Sequence, residues 1–198
     1  MQANDYLWIT TLNKAIKRNK REAFSRYFQL ATTNIHGAAK VRTVVYRGMD
    51  EDGQSPLIIT DSRSAKVSQL ENNRSVELCW YFTVTREQFR ITGEATLYTH
   101  LSLEHQRRER VWQQLSPPAQ AQFFWPAPGA DHCEPPASQS PRGTSAAADD
   151  SLDRQMPDNF YVISVFPTAI DHLLLSHPQR RVISTRGSGE WQSRIVNP

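Results

Sequence analysis

Two stretches of this chain combine residue types and spacings that could do chemistry: Arg42-Thr43-Val44-Val45-Tyr46-Arg47 and Thr60-Asp61-Ser62-Arg63-Ser64-Ala65-Lys66. The first sets two cations in one apolar, β-type run. A strand buried on one face alternates apolar with neutral polar residues, so two arginines there need anionic partners. The second places hydroxyls and a lysine where a strand gives way to a helical pattern, Lys66 through Asn72. The free amides and positive dipole end at a helix start favour an anion. Together the two stretches describe a phosphate cradle, and so a phosphorylated cofactor.

Other reactive side chains point nowhere as definite. His36, His100, His105, His132, His172 and His177 show no paired metal spacing, and Cys79 and Cys133 suggest neither a disulfide framework nor a metal site. No arrangement of serine, cysteine and histidine suggests a covalent nucleophile, and no catalytic residue is assigned. The net charge of +3 and pI near 9.0 are mild. Basic residues cluster at Lys14–Arg26 and Arg107–Arg110, mixed with apolar or acidic residues at helical spacing, which reads as solvated helix faces rather than a nucleic-acid patch. For Arg107, Arg108 and Arg110 a substrate clamp is the competing reading. Phe123, Phe124 and Trp125 could wall a pocket or pin the base of a loop.

The elements that must position the cradle follow from periodicity. Leu7, Trp8, Leu12, Ala15 and Ile16 predict an amphipathic helix over residues 5 to 20. Strands are expected at Phe28–Thr33, Ala39–Arg47, Leu57–Thr60, Val76–Phe82 and Gln88–Tyr98, with Ser64 capping the helix that carries Val67 and Leu70. Leu103–Leu115 reads as a charged helix opened by Ser102. Residues 126 to 157, rich in Pro, Ser, Ala and Asp, read as a long loop, flexible at about 128–157. Two further strands, Phe160–Phe166 and Ile170–Leu175, precede a hairpin of Val182–Ser184 and Trp191–Val196 with Gly187-Ser188-Gly189 at its tip. Many short strands with peripheral helices predict a mainly β, antiparallel closed barrel in a single domain over residues 1–198. No apolar run approaches the roughly 20 residues that span a bilayer. Met1-Gln2-Ala3-Asn4-Asp5 lacks the pattern of a signal peptide, so a cytoplasmic location is expected.

These motifs, in this order, resemble the pyridoxamine 5′-phosphate oxidase-related flavoproteins, a superfamily of FMN-binding split barrels. The similarity runs from about Phe28 to Pro198, excluding the loop. Arg42 to Arg47 is similar to the family's strand with arginine first and a cation, usually lysine, at the end. Thr60 with Ser64-Ala65-Lys66 resembles "YTN…SRK", and Glu87-Gln88-Phe89-Arg90-Ile91-Thr92-Gly93 resembles "RQVxVxG". Trp191 and Arg194-Ile195-Val196-Asn197-Pro198 fall in register with the closing "W…RLAP". The resemblance implies a homodimer with FMN at the subunit interface, contacted by Arg42, Thr43, Val44, Val45, Arg47, Ile59, Thr60, Ser64, Ala65, Lys66 and Gln88, and by Arg181 of the partner subunit.

The chain departs from that pattern at informative places. Ile59 stands for the motif's tyrosine, Ala65 for its arginine (with Arg63 as the candidate substitute) and Leu173 for a tryptophan flanking the flavin. The substrate run Arg-Leu-His-Asp-Arg corresponds to His177-Pro178-Gln179-Arg180-Arg181. The phosphate clamp "SRPR…S" is replaced by Val111-Trp112-Gln113-Gln114 and Phe123–Gly129. Three functions follow: an FMN-dependent oxidoreductase of a small, apolar-walled substrate; a non-catalytic FMN carrier or sensor; and, from another class, a basic β-barrel that binds nucleic acid.

Overall fold

The computed structural model describes residues 7–131 and 155–198. The middle of the expected loop, with His132 and Cys133, lies outside them, as does the chain before Leu7. Eight strands, β1 (Tyr27–Thr33), β2 (Ala39–Val45), β3 (Leu57–Asp61), β4 (Ser75–Phe82), β5 (Glu87–Tyr98), β6 (Phe160–Leu174), β7 (Arg180–Arg186) and β8 (Trp191–Val196), form one antiparallel sheet. Their hydrogen-bonded order is β2-β1-β4-β5-β6-β7-β8, and β3 pairs with the first part of β6. The path never joins β2 to β8, so the barrel is split rather than closed as the strand count alone predicted.

Period-2 patterning builds the interior. Val76, Leu78, Trp80 and Phe82 of β4 and Phe89, Ile91 and Ala95 of β5 all turn inward. Helix α1 (Trp8–Asn19) covers this core with Trp8, Leu12 and Ala15. Asn19 ties its end to the β4–β5 turn, accepting from Val84 N at 3.0 Å and donating to Thr85 Oγ1 at 3.0 Å. A second core joins Leu57, Tyr98, Phe160 and Val162 to Val111, Trp112 and Leu115 of helix α3 (His105–Gln113) and its following turn, and to Phe123. Among the described residues no helix is long and apolar enough to cross a membrane.

Several expectations are corrected. The strand carrying Arg42 ends at Val45, so Arg47 lies in the following loop, held by Arg47 N to Leu57 O at 2.9 Å. The two strands expected around Pro167 are one, β6. Gly93 faces Pro167 and Thr92 faces Ala169, so Thr168 bulges and the strand passes its proline. Ser102 does not open α3; its Oγ accepts from Thr99 N at 2.8 Å to close a turn, and Glu104 stands at the N-cap. Arg108 is not on a solvated face: it is buried, donating to Phe160 O at 2.8 Å. A short helix α4 (Pro117–Ala121) and 3-10 turns at Ala23–Arg26 and Gln122–Phe124 had no expectation at all.

Candidate functional site

Helix α2 (Ala65–Asn72) follows β3 directly, and β2 lies alongside as an edge strand. This juxtaposition assembles the cradle. Arg42 points inward opposite Leu30, where its Nη1 donates to Thr32 Oγ1 at 2.6 Å and Leu30 O at 3.2 Å, and its Nη2 to Gln69 Oε1 of α2 at 2.8 Å. Lys66 Nζ donates to Ser64 Oγ at 2.6 Å and Thr60 Oγ1 at 3.0 Å. Every one of these acceptors is neutral. Burial, then the neighbouring Arg42 charge, holds the Lys66 ammonium below its ordinary pKa, and burial lowers Arg42 as well. Ser64 occupies the N-cap of α2 but makes no side-chain cap bond, because its hydroxyl serves Lys66. The first-turn amides are thereby left without a side-chain acceptor. A half-buried cation pair beside such amides, with no carboxylate in hydrogen-bond contact, is built for an anion.

An open cleft of about 450 Å³ runs from this cradle along β2 and β3. It brings together Arg42, Thr43, Val44, Val45, Arg47, Ile59, Thr60, Ser64 and Lys66, all expected from the sequence. Its other wall is Gln122, Phe123, Trp125, Pro126 and Pro128. Phe123 therefore does both things weighed for the aromatic run: it lines the cleft and is buried in the second core, while Trp125 stays exposed at the mouth. Ala65 begins α2 but does not line the cleft. Arg63, the candidate substitute for the missing phosphate contact, is not among the residues lining the cleft; its fork grips Asp61 at 2.9 and 2.6 Å and reaches Trp125 O at 3.0 Å. Asp61, which sequence reasoning passed over, is the one carboxylate among the described residues that line the cleft. Opposing the effect of burial, the Arg63 and Asn159 hydrogen bonds hold its carboxyl below the usual range.

Arg47 sits where this cleft meets two others. One, about 230 Å³, is lined by Arg26, Tyr46, Arg47, Gly48, Val111, Gln114 and Leu115, with no carboxylate. The Arg47 Nε is buried without a hydrogen-bond partner, and burial followed by the Arg26 charge lowers its pKa. Burial pushes the Tyr46 phenol up to about 12, so it stays neutral here.

The sequence matches the family model described as "Pyridoxamine 5'-phosphate oxidase, FMN-binding domain" over residues 5–99. Pyridoxine/pyridoxamine 5′-phosphate oxidase 2 of Arabidopsis thaliana is 33% identical, with 96% of each chain covered. The chain belongs to the pyridoxamine 5′-phosphate oxidase family. Among solved structures, a pyridoxamine 5′-phosphate oxidase-related, FMN-binding protein of Nostoc punctiforme has a TM-score of 0.84 at 36% identity over 98% of both chains. PhzG of Burkholderia lata, solved with tetrahydrophenazine-1-carboxylic acid, has a TM-score of 0.73 at 18% identity over the whole of both chains, a likeness of fold.

Two residues the family resemblance singled out lie away from the cleft. Cα pairing sets Tyr81, Gln88, Leu173, Arg181 and Val196 in one row across β4 to β8, on the outward face of the sheet. The adjacent row carries Cys79, Arg90, Asp171 and Ile183. Asp171 receives both arms of Arg181, at 2.9 and 2.7 Å, and lies 3.6 Å from Arg90, which in turn bonds Glu77 at 2.7 Å. Within one chain, then, the structure brings the phosphate-type residues together and leaves Gln88 and Arg181 on a separate surface.

Proposed function

We propose that this chain is an FMN-dependent oxidoreductase acting as a homodimer, with the cleft between β2, β3 and α2 as its cofactor site. One observation carries the reading: Arg42 and Lys66 meet at a helix start with only neutral hydrogen-bond partners, and the buried Arg47 Nε has none. Half-buried cations whose hydrogen-bond partners are all neutral, with Asp61 acting on Lys66 only through space, are costly unless a ligand adds counter-charge. The matching family model is described as an FMN-binding domain, which supports FMN as that ligand.

When bound, FMN supplies hydride exchange at its ring. The chain's own groups bind and orient. Arg42, Ser64, Lys66 and the first amides of α2 would hold the phosphate, and Thr43, Val44, Val45, Ile59 and Thr60 would border the cofactor along the two strands. Trp125, Pro126 and Pro128 would exclude water from one side. The adjoining cavity with Arg26, Arg47 and Gln114 suits a substrate bearing an anionic group next to an apolar body. Gln88 and Arg181 would approach from the second subunit.

A non-catalytic FMN carrier or sensor is the second reading, favoured by the replacement of the family's substrate run with His177-Pro178-Gln179-Arg180-Arg181. Nucleic-acid binding has less support, since Arg107 bonds Asp50 at 2.7 Å, Arg110 pairs with Glu51 and Arg108 is buried. The deciding experiment is a visible spectrum of the purified protein with chromatographic identification of the heat-released chromophore, followed by oxygen uptake with a panel of amines. Released FMN with amine-dependent oxygen uptake is the expected result. FMN without turnover of any amine favours the carrier, and a colourless protein that refuses added FMN overturns both.

A further inference from the structure

Both carboxylate oxygens of Asp61 are engaged by partners other than the cations it shares a cleft with. Oδ1 accepts from Arg63 N at 2.8 Å and Arg63 Nε at 2.9 Å; Oδ2 accepts from Arg63 Nη2 at 2.6 Å and Asn159 Nδ2 at 2.8 Å. Both partners make a second bond in the same direction. Arg63 Nη2 donates to Trp125 O at 3.0 Å, and Asn159 Nδ2 donates to Phe123 O at 2.8 Å. Two carbonyls of one short turn are therefore tied to the end of β3 through a single carboxylate.

The wall needs this tie. Its own backbone bonds are local, Trp125 N to Gln122 O at 3.3 Å and Ala130 N to Ala127 O at 3.1 Å, and it belongs to no strand. Phe123 anchors one end against Trp112 and Phe160, but the Trp125 side is more than half exposed. The same carboxylate poses an electrostatic problem. Asp61 lines the same cleft as Lys66 and already acts on its charge, so an anion seated at Lys66 would be repelled by Asp61 unless that charge is screened. Arg63, whose guanidinium forks onto both Asp61 oxygens, is placed to do that.

We propose that Asp61 is a positioning residue: through Arg63 and Asn159 it seats the Phe123–Trp125 wall over the cation cradle, and Arg63 masks its charge from an anion bound at Lys66. The seating half stands on the geometry alone; the masking half rests on the FMN reading above. Wall and cradle are then coupled through one side chain, so a change at exposed Arg63 reaches both.

The test uses the full chain labelled with 5-fluorotryptophan, the Trp125 resonance being assigned by its loss in Trp125→Phe. Arg63→Ala should shift that resonance in the FMN-free protein while the signal of Trp80, buried in the first core away from the wall, stays put. It should also weaken FMN binding roughly fivefold, the scale of one partly exposed charge interaction. In an Asp61→Asn background the same change should cost less than about twofold, because no charge remains to be masked. Arg63→Lys should recover affinity but not the Trp125 resonance, since an ammonium cannot fork across Asp61 and the Trp125 carbonyl. An unmoved Trp125 signal in Arg63→Ala overturns the proposal, as does an equal FMN penalty with and without Asp61. If the wild type takes up no FMN, the functional reading fails, while the seating of the wall is still judged by Trp125.

Discussion

Lys66 separates ligand binding from folding more cleanly than Arg42 does. Arg42 bridges β1, β2 and α2 through Thr32, the Leu30 carbonyl and Gln69, so its loss would loosen the barrel edge as well as the site. Lys66 bonds only the hydroxyls of Ser64 and Thr60 beside it. Lys66→Ala should therefore weaken FMN binding by roughly 10- to 100-fold, the worth of a charge-assisted hydrogen bond or two, with the oligomeric state unchanged. Flavin fluorescence titration with size-exclusion chromatography checks this, and undiminished affinity would remove the cradle from the argument. A pH test is independent of mutation. The folded pKa of Lys66 is lowered from 10.5 by burial and Arg42. Between the two values the unfolded chain binds more protons, so the FMN-free protein should gain stability as pH rises through that window. A bound phosphate restores the folded pKa, so that gain should vanish with FMN present while affinity falls as pH climbs. Calorimetry from about pH 8 upward, with and without FMN, reads both slopes; parallel slopes would contradict a phosphate at Lys66. These cations were legible because charge within an apolar run is a strong local signal. The partners of Arg63 were not legible for the opposite reason: a surface arginine can turn either way, and only the fold sets Asp61 and the Trp125 carbonyl within its reach.

At the scale of elements, the site depends on β6 being continuous, because its first half pairs β3 beneath the cradle and its second half pairs β5 and β7 beneath the row of Gln88 and Arg181. Pro167 reads as a break in sequence, and the chain instead absorbs it with a bulge at Thr168 opposite Thr92/Gly93. Only the cross-strand partner makes this possible. A Cβ on Gly93 would lie 2.4 Å from the Phe166 carbonyl oxygen, a backbone atom that cannot swing aside. Gly93→Ala should thus destabilise by about 1–3 kcal/mol, lowering Tm by roughly 2–4 °C per kcal/mol for a chain of this size. Thermal unfolding measures it, and a Tm equal to wild type would mean that β5 and β6 part easily at this point. The other strands were legible because their inward residues alternate cleanly, as in β4 with Val76, Leu78, Trp80 and Phe82. The short helix α4 and the turn that follows it were not, since they are held by Phe123 docking on Trp112 and Phe160 rather than by any period of their own.

At the scale of the molecule, the outward face of the sheet bears on the proposal that one chain carries half of each site. Exposed Tyr27, Val41 and Tyr81 share that face with Gln88 and Arg181, a mixture of apolar and chemically committed residues that a free surface rarely collects. No pattern within a single sequence distinguishes a strand face that meets solvent from one that meets a second copy, so the expectation of a dimer came from family resemblance and not from periodicity. If two cradles are each completed by the other subunit's Arg181, the defects of Lys66→Ala and Arg181→Ala lie in different halves of each site. Each homodimer would then be impaired at both of its sites. Mixing the two after denaturation and joint refolding should produce hybrids in which one site carries both lesions and the other carries neither. With random pairing in a two-fold dimer, about a quarter of wild-type FMN sites should return at full affinity. Recovery of that fraction in an FMN titration of the mixture supports a shared site. A mixture that merely averages the two weak parents would place Lys66 and Arg181 on the same subunit's cofactor, an Arg181→Ala parent of undiminished affinity would place Arg181 on none, and the outward row would then need another explanation.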